Sequence, residues 1–178
     1  MTAGEGAGRA PTSAASRLGR AAMGERLGGF IYGTIVALSV IVAGARAYPR
    51  SPGHVAVLVG VTCLVFWIAH VYANAISHGI VHDEHLSFRE LRRIARREAS
   101  LVEAAVPLIA ALLLGSVGIL GARASVWLAF AIGLAILGAE GLIFARAERL
   151  GWLGAAGVVA ANLGLGVLLV ALKLVITH

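Results

Sequence analysis

An all-α membrane protein, a five-helix transmembrane bundle with its N-terminus inside and its C-terminus outside, is the fold class this 178-residue sequence predicts. Three observations predict it. Five apolar stretches, at about 28–45, 54–77, 101–120, 125–145 and 152–175, account for more than half of the chain. A hydrocarbon core about 30 Å thick needs about 20 apolar residues at 1.5 Å rise each, and every stretch approaches or exceeds that length. Mean hydropathy is +0.88, with 59% hydrophobic and only 13% charged residues, and the charges gather between the stretches. In a soluble chain a net charge of +6 would suggest nucleic acid, but here arginine in loops and tails faces lipid headgroups, so no nucleic-acid partner is expected.

The first element, residues 1–27, is rich in Gly, Ala, Ser and Arg without apolar periodicity, and is expected as a disordered basic cytoplasmic tail. Residues 28–178 form the transmembrane domain. Span one ends at Ala45-Arg46-Ala47, a small-x-small triplet of the kind found at signal-peptide cleavage sites. Against cleavage stand the tail of nearly thirty residues and an apolar run at the upper limit for a leader. Pro49 and Pro52 then mark a tight external turn.

Between spans two and three, Ser87-Phe88-Arg89-Glu90 fits the capping box, in which each of two side chains bonds the other residue's free backbone N–H. Phe88, Leu91 and Ile94 recur at helical spacing with arginines on the other faces, so residues 87–100 are expected as an amphipathic inner-surface helix touching anionic lipid headgroups. A solvated charged turn is the alternative. Pro107 predicts a kink within span three, because it removes a backbone hydrogen bond. Tyr48, Trp127 and Trp152 fall at span ends, where interfacial rings settle.

Charge gives the orientation. Arg9, Arg17, Arg20 and Arg26, then Arg89, Arg92, Arg93, Arg96 and Arg97, then Arg146 and Arg149 fall on one side, eleven in all. The other side has Arg46, Arg50, Arg123 and Lys173. Positive residues favour the cytoplasm. Fourteen arginines to one lysine, with heavy Ala and Gly use, resemble a GC-rich bacterial genome, and the cytoplasmic membrane of a bacterium is the expected location.

Small residues recur every fourth position: Gly29, Gly33 and Ala37 on span one, Ala131, Ala135 and Ala139 on span four, Ala156, Ala160 and Gly164 on span five. Such stripes let backbones approach where lipid offers no hydrophobic force, although an Ala/Gly-rich composition also yields them by chance. A homo-oligomer is the expectation for any stripe that stays unpaired.

Ionisable residues within a span are costly and point to function by default. His70, Glu103 and Glu140 all fall in the inner half of the membrane, with His70 roughly 12 Å and Glu140 roughly 9 Å from the inner ends of their spans. Lys173, near an outer end, snorkels. On span two, Cys63, Trp67, His70, Asn74 and Ser77 share one helical face. Cys63, the only cysteine, excludes an intrachain disulfide. His70, Asn74, Glu103 and Glu140 are therefore the candidate polar pathway, with Tyr32, Thr34 and Asn162 in support, and imidazole and carboxylates at one depth suit protons or a divalent cation. Interhelical hydrogen bonding would account for His70 and Asn74 equally. Glu103 reaching headgroups, or Arg96 or Arg97, would account for that residue.

His78, His82 and His85 follow at spacings of four and three, the weak candidates for a metal, beside Asp83 and Glu84. A solvated loop is the plainer reading. No nucleophile, P-loop, zinc or dinucleotide motif is present, so no catalytic residue and no cofactor is implied.

Phe66-Trp67-Ile68-Ala69-His70-Val71-Tyr72-Ala73, the opening F-I-Y-G-T-I-V-A-L at 30–38 and the closing A-L-K-L-V-I-T-H at 171–178 resemble a family of small uncharacterised actinobacterial integral membrane proteins. That resemblance implies the multi-pass fold and no activity. Trp67 to His70 is also similar to the W-x-x-H of bacterial lysosomal-type potassium channels. Phe30-Ile31-Tyr32 stands where that family has F-S-D, so the channel function does not carry over. Two functions remain. One is a small transporter or proton/cation-conducting protein with its site in the inner half of the membrane. The other is a non-catalytic membrane scaffold or partner subunit.

Overall fold

The computed structural model describes residues 10–82 and 87–176. Every regular element among them is helical: α1 Ala10–Ala47, α2 Pro52–His82, α3 Phe88–Arg97, α4 Ser100–Glu103, α5 Val106–Ser116, α6 Ala122–Ala147 and α7 Trp152–Ile176. Three stretches are long and apolar enough to cross a membrane, Ala22–Ala47 of α1, Pro52–Ser77 of α2 and all of α6. A fourth is counted if α3–α4 and α5, bent by 46° at their break, form one span. Among the described residues the chain is thus all-helical, with three or four helices that suit a membrane by length and composition.

Helix α1 starts well before the expected boundary at residue 28. Residues 10–27, expected to be disordered, make its first five turns. Ala, Arg, Leu, Met and Glu there are good helix formers, and propagation from an established helix is far easier than nucleation. At the other end the chain turns through residues 48–51, where Tyr48 stacks on His54 with ring centroids 5.3 Å apart.

Three antiparallel approaches set the topology. Gly44 of α1 lies against Val55 of α2, Gly53 of α2 against Ser116 of α5, and Gly115 of α5 against Ser125 of α6. Hence α1 and α5 run one way, α2 and α6 the other. Helix α7 runs antiparallel to α6, with Gly138 against Leu163 and Gly166 against Leu137. Leu38, Ile41, Val55, Val59, Leu108, Leu112, Phe130 and Leu137 fill the common core. Many large apolar side chains point outward instead, among them Val61, Val65, Ile68, Ile143 and Leu153. Lipid as the surrounding solvent accounts for such a surface, which water would not tolerate.

Pro107 produces the expected break, displaced slightly towards the N-terminus. It occupies the first turn of α5 and has no N–H to offer the previous turn, so regular α-helix lapses at residues 104–105. Helix α5 also stops earlier than the predicted 101–120. Gly118 takes φ +81°, and the Ile119 N–H donates to the Leu114 carbonyl at 3.1 Å, the arrangement that ends helices at a left-handed glycine.

The capping box at α3 forms as expected. The Glu90 N–H donates to Ser87 Oγ at 3.3 Å, and the Ser87 N–H donates to Glu90 Oε2 at 2.9 Å. Ser87→Ala removes an acceptor worth about 1 kcal/mol, so first-turn amides of α3 should exchange about five times faster by hydrogen–deuterium exchange. Unchanged exchange would show that tertiary contacts hold that turn.

Of the three small-residue stripes, only that of α1 is buried in the bundle. A Cβ on Gly33 would lie 2.9 Å from Leu101 Cα, so α4 rests directly on the α1 backbone. The α6–α7 contact uses Gly138, Gly141 and Gly166, which belong to neither stripe. Ala131, Ala135 and Ala139 of α6, and Ala156, Ala160 and Gly164 of α7, are exposed.

Candidate functional site

The polar face of α2 is the densest pattern in the sequence, and neighbouring elements occupy most of it. Cys63 enters the core. Trp67 Nε1–H donates to the Ala95 carbonyl of α3 at 3.0 Å. Asn74 Nδ2 donates to Glu98 Oε1 at 3.0 Å, just beyond α3. These two bonds, two turns apart on α2, clasp α3 against it. His70 sits between them, half-buried, with Nδ1 3.0 Å from the Phe66 carbonyl one turn back. Its ring meets Tyr32 of α1, centroids 5.4 Å apart, and Tyr32 also meets Phe66 at 6.2 Å.

Glu103 lies at the exposed end of α4, and its partner is neither Arg96 nor Arg97. Arg26 of α1 donates to Glu103 Oε2 at 3.3 Å, across 77 residues of sequence, with both side chains largely exposed. The expectation that an arginine two turns back would serve fails because the packing of α4 on Gly29 and Gly33 brings α1 closer.

Glu140 has a different environment. It is 7% exposed on α6, and its Oε2 has no hydrogen-bonding partner among the described residues. Thr34 on α1 is fully buried, and its hydroxyl is likewise without one. Their relative depth follows from the close approach of Leu38 to Gly133. On these antiparallel helices Thr34 is four residues and Glu140 seven residues beyond that contact in the same direction, so their levels differ by roughly 5 Å at 1.5 Å per residue. Asn162 of α7 is near this level, and its Nδ2 donates to the Leu137 carbonyl at 3.3 Å. Gly141 makes room for it, since a Cβ there would stand 3.1 Å from that nitrogen.

The predicted residues therefore separate into two groups. Glu140, Thr34 and Asn162 lie within about one helical turn of each other in level, on α6, α1 and α7. His70 with Tyr32, Asn74 with Glu98, and Glu103 with Arg26 are each engaged elsewhere. His78 and His82 lie on the last turns of α2, while His85, with Asp83, Glu84 and His178, is outside the described residues.

One feature was not anticipated by reading the sequence. A cleft of about 650 Å³ opens between the α1 segment Ala22–Arg26 and α3, walled by Arg26, Arg89, Arg92, Arg93, Arg96 and Arg97 together with Glu25 and Glu103. The signal for it was present in the charges. Glu25-Arg26 precedes span one on the side of the membrane to which charge counting assigned the α3 arginines.

No family model matches this chain, and neither a curated protein nor a solved structure is significantly similar to it.

Proposed function

We propose that the chain is a small five-span protein of a bacterial cytoplasmic membrane, N-terminus inside, that conducts protons or small cations through a site at Glu140. Helix α7, at 25 residues, has the length of a span, and the bent α3–α4/α5 pair counts as another if its two parts cross together. The eleven-to-four distribution of basic residues supports the orientation.

One observation carries the reading: a carboxylate oxygen buried in the bundle without a partner. Such a group is expensive in a low-dielectric interior unless a proton or cation visits it. The Thr34 hydroxyl, unpaired at nearly the same level, is a second ligand or relay for that visitor. His70, Asn74 and Glu103 are not required for the site, because each already has a protein contact.

Flux into proteoliposomes tests it. Wild type should carry H⁺ or a small cation, and Glu140→Gln should reduce that flux roughly a hundredfold, the lower end of what a positioned proton-transferring group contributes. Equal flux through both proteins would sink the reading.

The exposed alanine stripes of α6 and α7 favour a second reading, a membrane scaffold or partner subunit. It predicts no flux in wild type and unchanged assembly in Glu140→Gln.

A further inference from the structure

We propose that the arginine cleft between α1 and α3 binds an anionic phospholipid whose headgroup carries two negative charges. The site is independent of Glu140, and the two readings can fail separately.

Position within the fold is the first support. The apolar run of α1 begins at Ala22 and that of α2 ends at Ser77, and these antiparallel helices bring both limits to the same end of the bundle. Ala22 and Arg26 belong to the cleft, so it lies where an apolar core gives way to headgroups. A lipid phosphate is at that level by default, whereas a soluble phosphate ligand would have to be drawn to it.

Charge is the second. Six arginines against two glutamates leave an excess of four positive charges around one cleft. The five arginines of α3 form no ion pair with any described residue. Guanidinium groups bind phosphate oxygens through paired parallel N–H donors, and a singly charged headgroup would leave most of this excess uncompensated.

Preorganisation is the third. The capping box fixes the start of α3, and Trp67 and Asn74 hold its C-terminal end against α2. Arginines on a helix with a capped start and a C-terminal end held against α2 lose less entropy on binding than arginines on a free loop. Phe88 is 80% exposed and Leu91 39%, leaving apolar surface on the same helix for acyl chains.

The Arg26–Glu103 pair gives the proposal its most specific consequence. That pair is exposed and therefore weak, and Glu103 competes with a phosphate for Arg26. Removing the carboxylate should strengthen lipid binding.

The test uses the full chain in phosphatidylcholine nanodiscs doped with a phosphomonoester phospholipid, counting retained lipid by native mass spectrometry. Arg93→Gln/Arg96→Gln should weaken retention about tenfold, as expected for loss of charge-assisted bonds. Arg146→Gln/Arg149→Gln removes equal charge at the same end of the bundle and should have little effect. Glu103→Gln should raise retention about threefold. A parallel arm titrates inorganic pyrophosphate without the doped lipid. Equal losses in the two double variants would reduce the effect to general electrostatics and overturn the site. So would retention no better than that of phosphatidylcholine, while pyrophosphate binding as tightly as lipid would assign the cleft to a soluble ligand. Should the arginine variant fail to fold, the direction of the Glu103→Gln effect and the pyrophosphate arm still decide.

Discussion

Gly33→Ala is expected to destabilise the bundle by about 3 kcal/mol, the upper part of the usual range for overpacking. The cost is high because the neighbour is backbone. A Cβ at residue 33 would stand 2.9 Å from Leu101 Cα and 3.0 Å from its carbonyl carbon. A flexible side chain could swing aside, but Leu101 belongs to α4, whose Ser100 side chain also packs on Gly29. Separating α1 from α4 would also disturb the Arg26–Glu103 pair. Between membrane helices such close backbone contact supplies much of the association energy, since lipid exerts no hydrophobic force between them. Gly28→Ala is the matched control: no atom lies within 4 Å of its Cβ position. That change should be neutral, or stabilising by up to about 1 kcal/mol through helix propensity. Unfolding of both variants in mixed detergent micelles reads the contrast, and similar midpoints for the two would mean that α4 does not rest on α1.

Glu140→Met is expected to do the opposite, raising stability by about 1–3 kcal/mol while abolishing flux. The carboxylate is buried and one of its oxygens is unpaired, so the wild-type fold bears a desolvation cost that an apolar side chain of similar volume removes. Thr34→Val, which removes a buried unpaired hydroxyl, should shift stability in the same direction by less. A gain in stability joined to a loss of activity is the mark of a polar group retained for function. If Glu140→Met instead unfolds the protein at lower denaturant, the carboxylate has a structural partner and its proposed role is wrong.

Much of the architecture was legible along the chain, and the reasons differ by feature. The capping box at Ser87 and Glu90 is local, complete within four residues, and formed as read. The break at Pro107 follows from a missing N–H and a ring that obstructs the preceding turn, both properties of one residue. The early end of α5 was also local, but the apolar run 101–120 concealed the left-handed turn at Gly118. Helix in residues 10–27 was missed because polar composition was read as disorder, although the same residues favour helix when a long apolar helix adjoins them.

Side-chain partnerships were far less legible. Arg26 and Glu103 are 77 residues apart, Trp67 and Ala95 are 28, and Asn74 and Glu98 are 24. Trp67 and Asn74 were recognised as one face of α2, but their role in holding α3 depends on where α3 folds back. The alanine stripes of α6 and α7 were visible in the sequence, but not that they would stay exposed while glycines on other faces make the contact between those helices.

The sequence by itself therefore determined most of the helical segments, which of them are apolar enough to enter a membrane, and how far along its helix each polar residue lies. These follow from counting residues at a fixed rise per residue. Tertiary structure alone decided which face of each helix meets which neighbour. It enclosed Glu140 and Thr34 within about one helical turn of each other in level, left the His70 face to hold α3, and drew Arg26 into the α3 arginine cleft. Depth is a one-dimensional property of the chain. The angular position of a helix is set by the closest backbone approaches, and here those are made by a few glycines whose partners lie on distant segments.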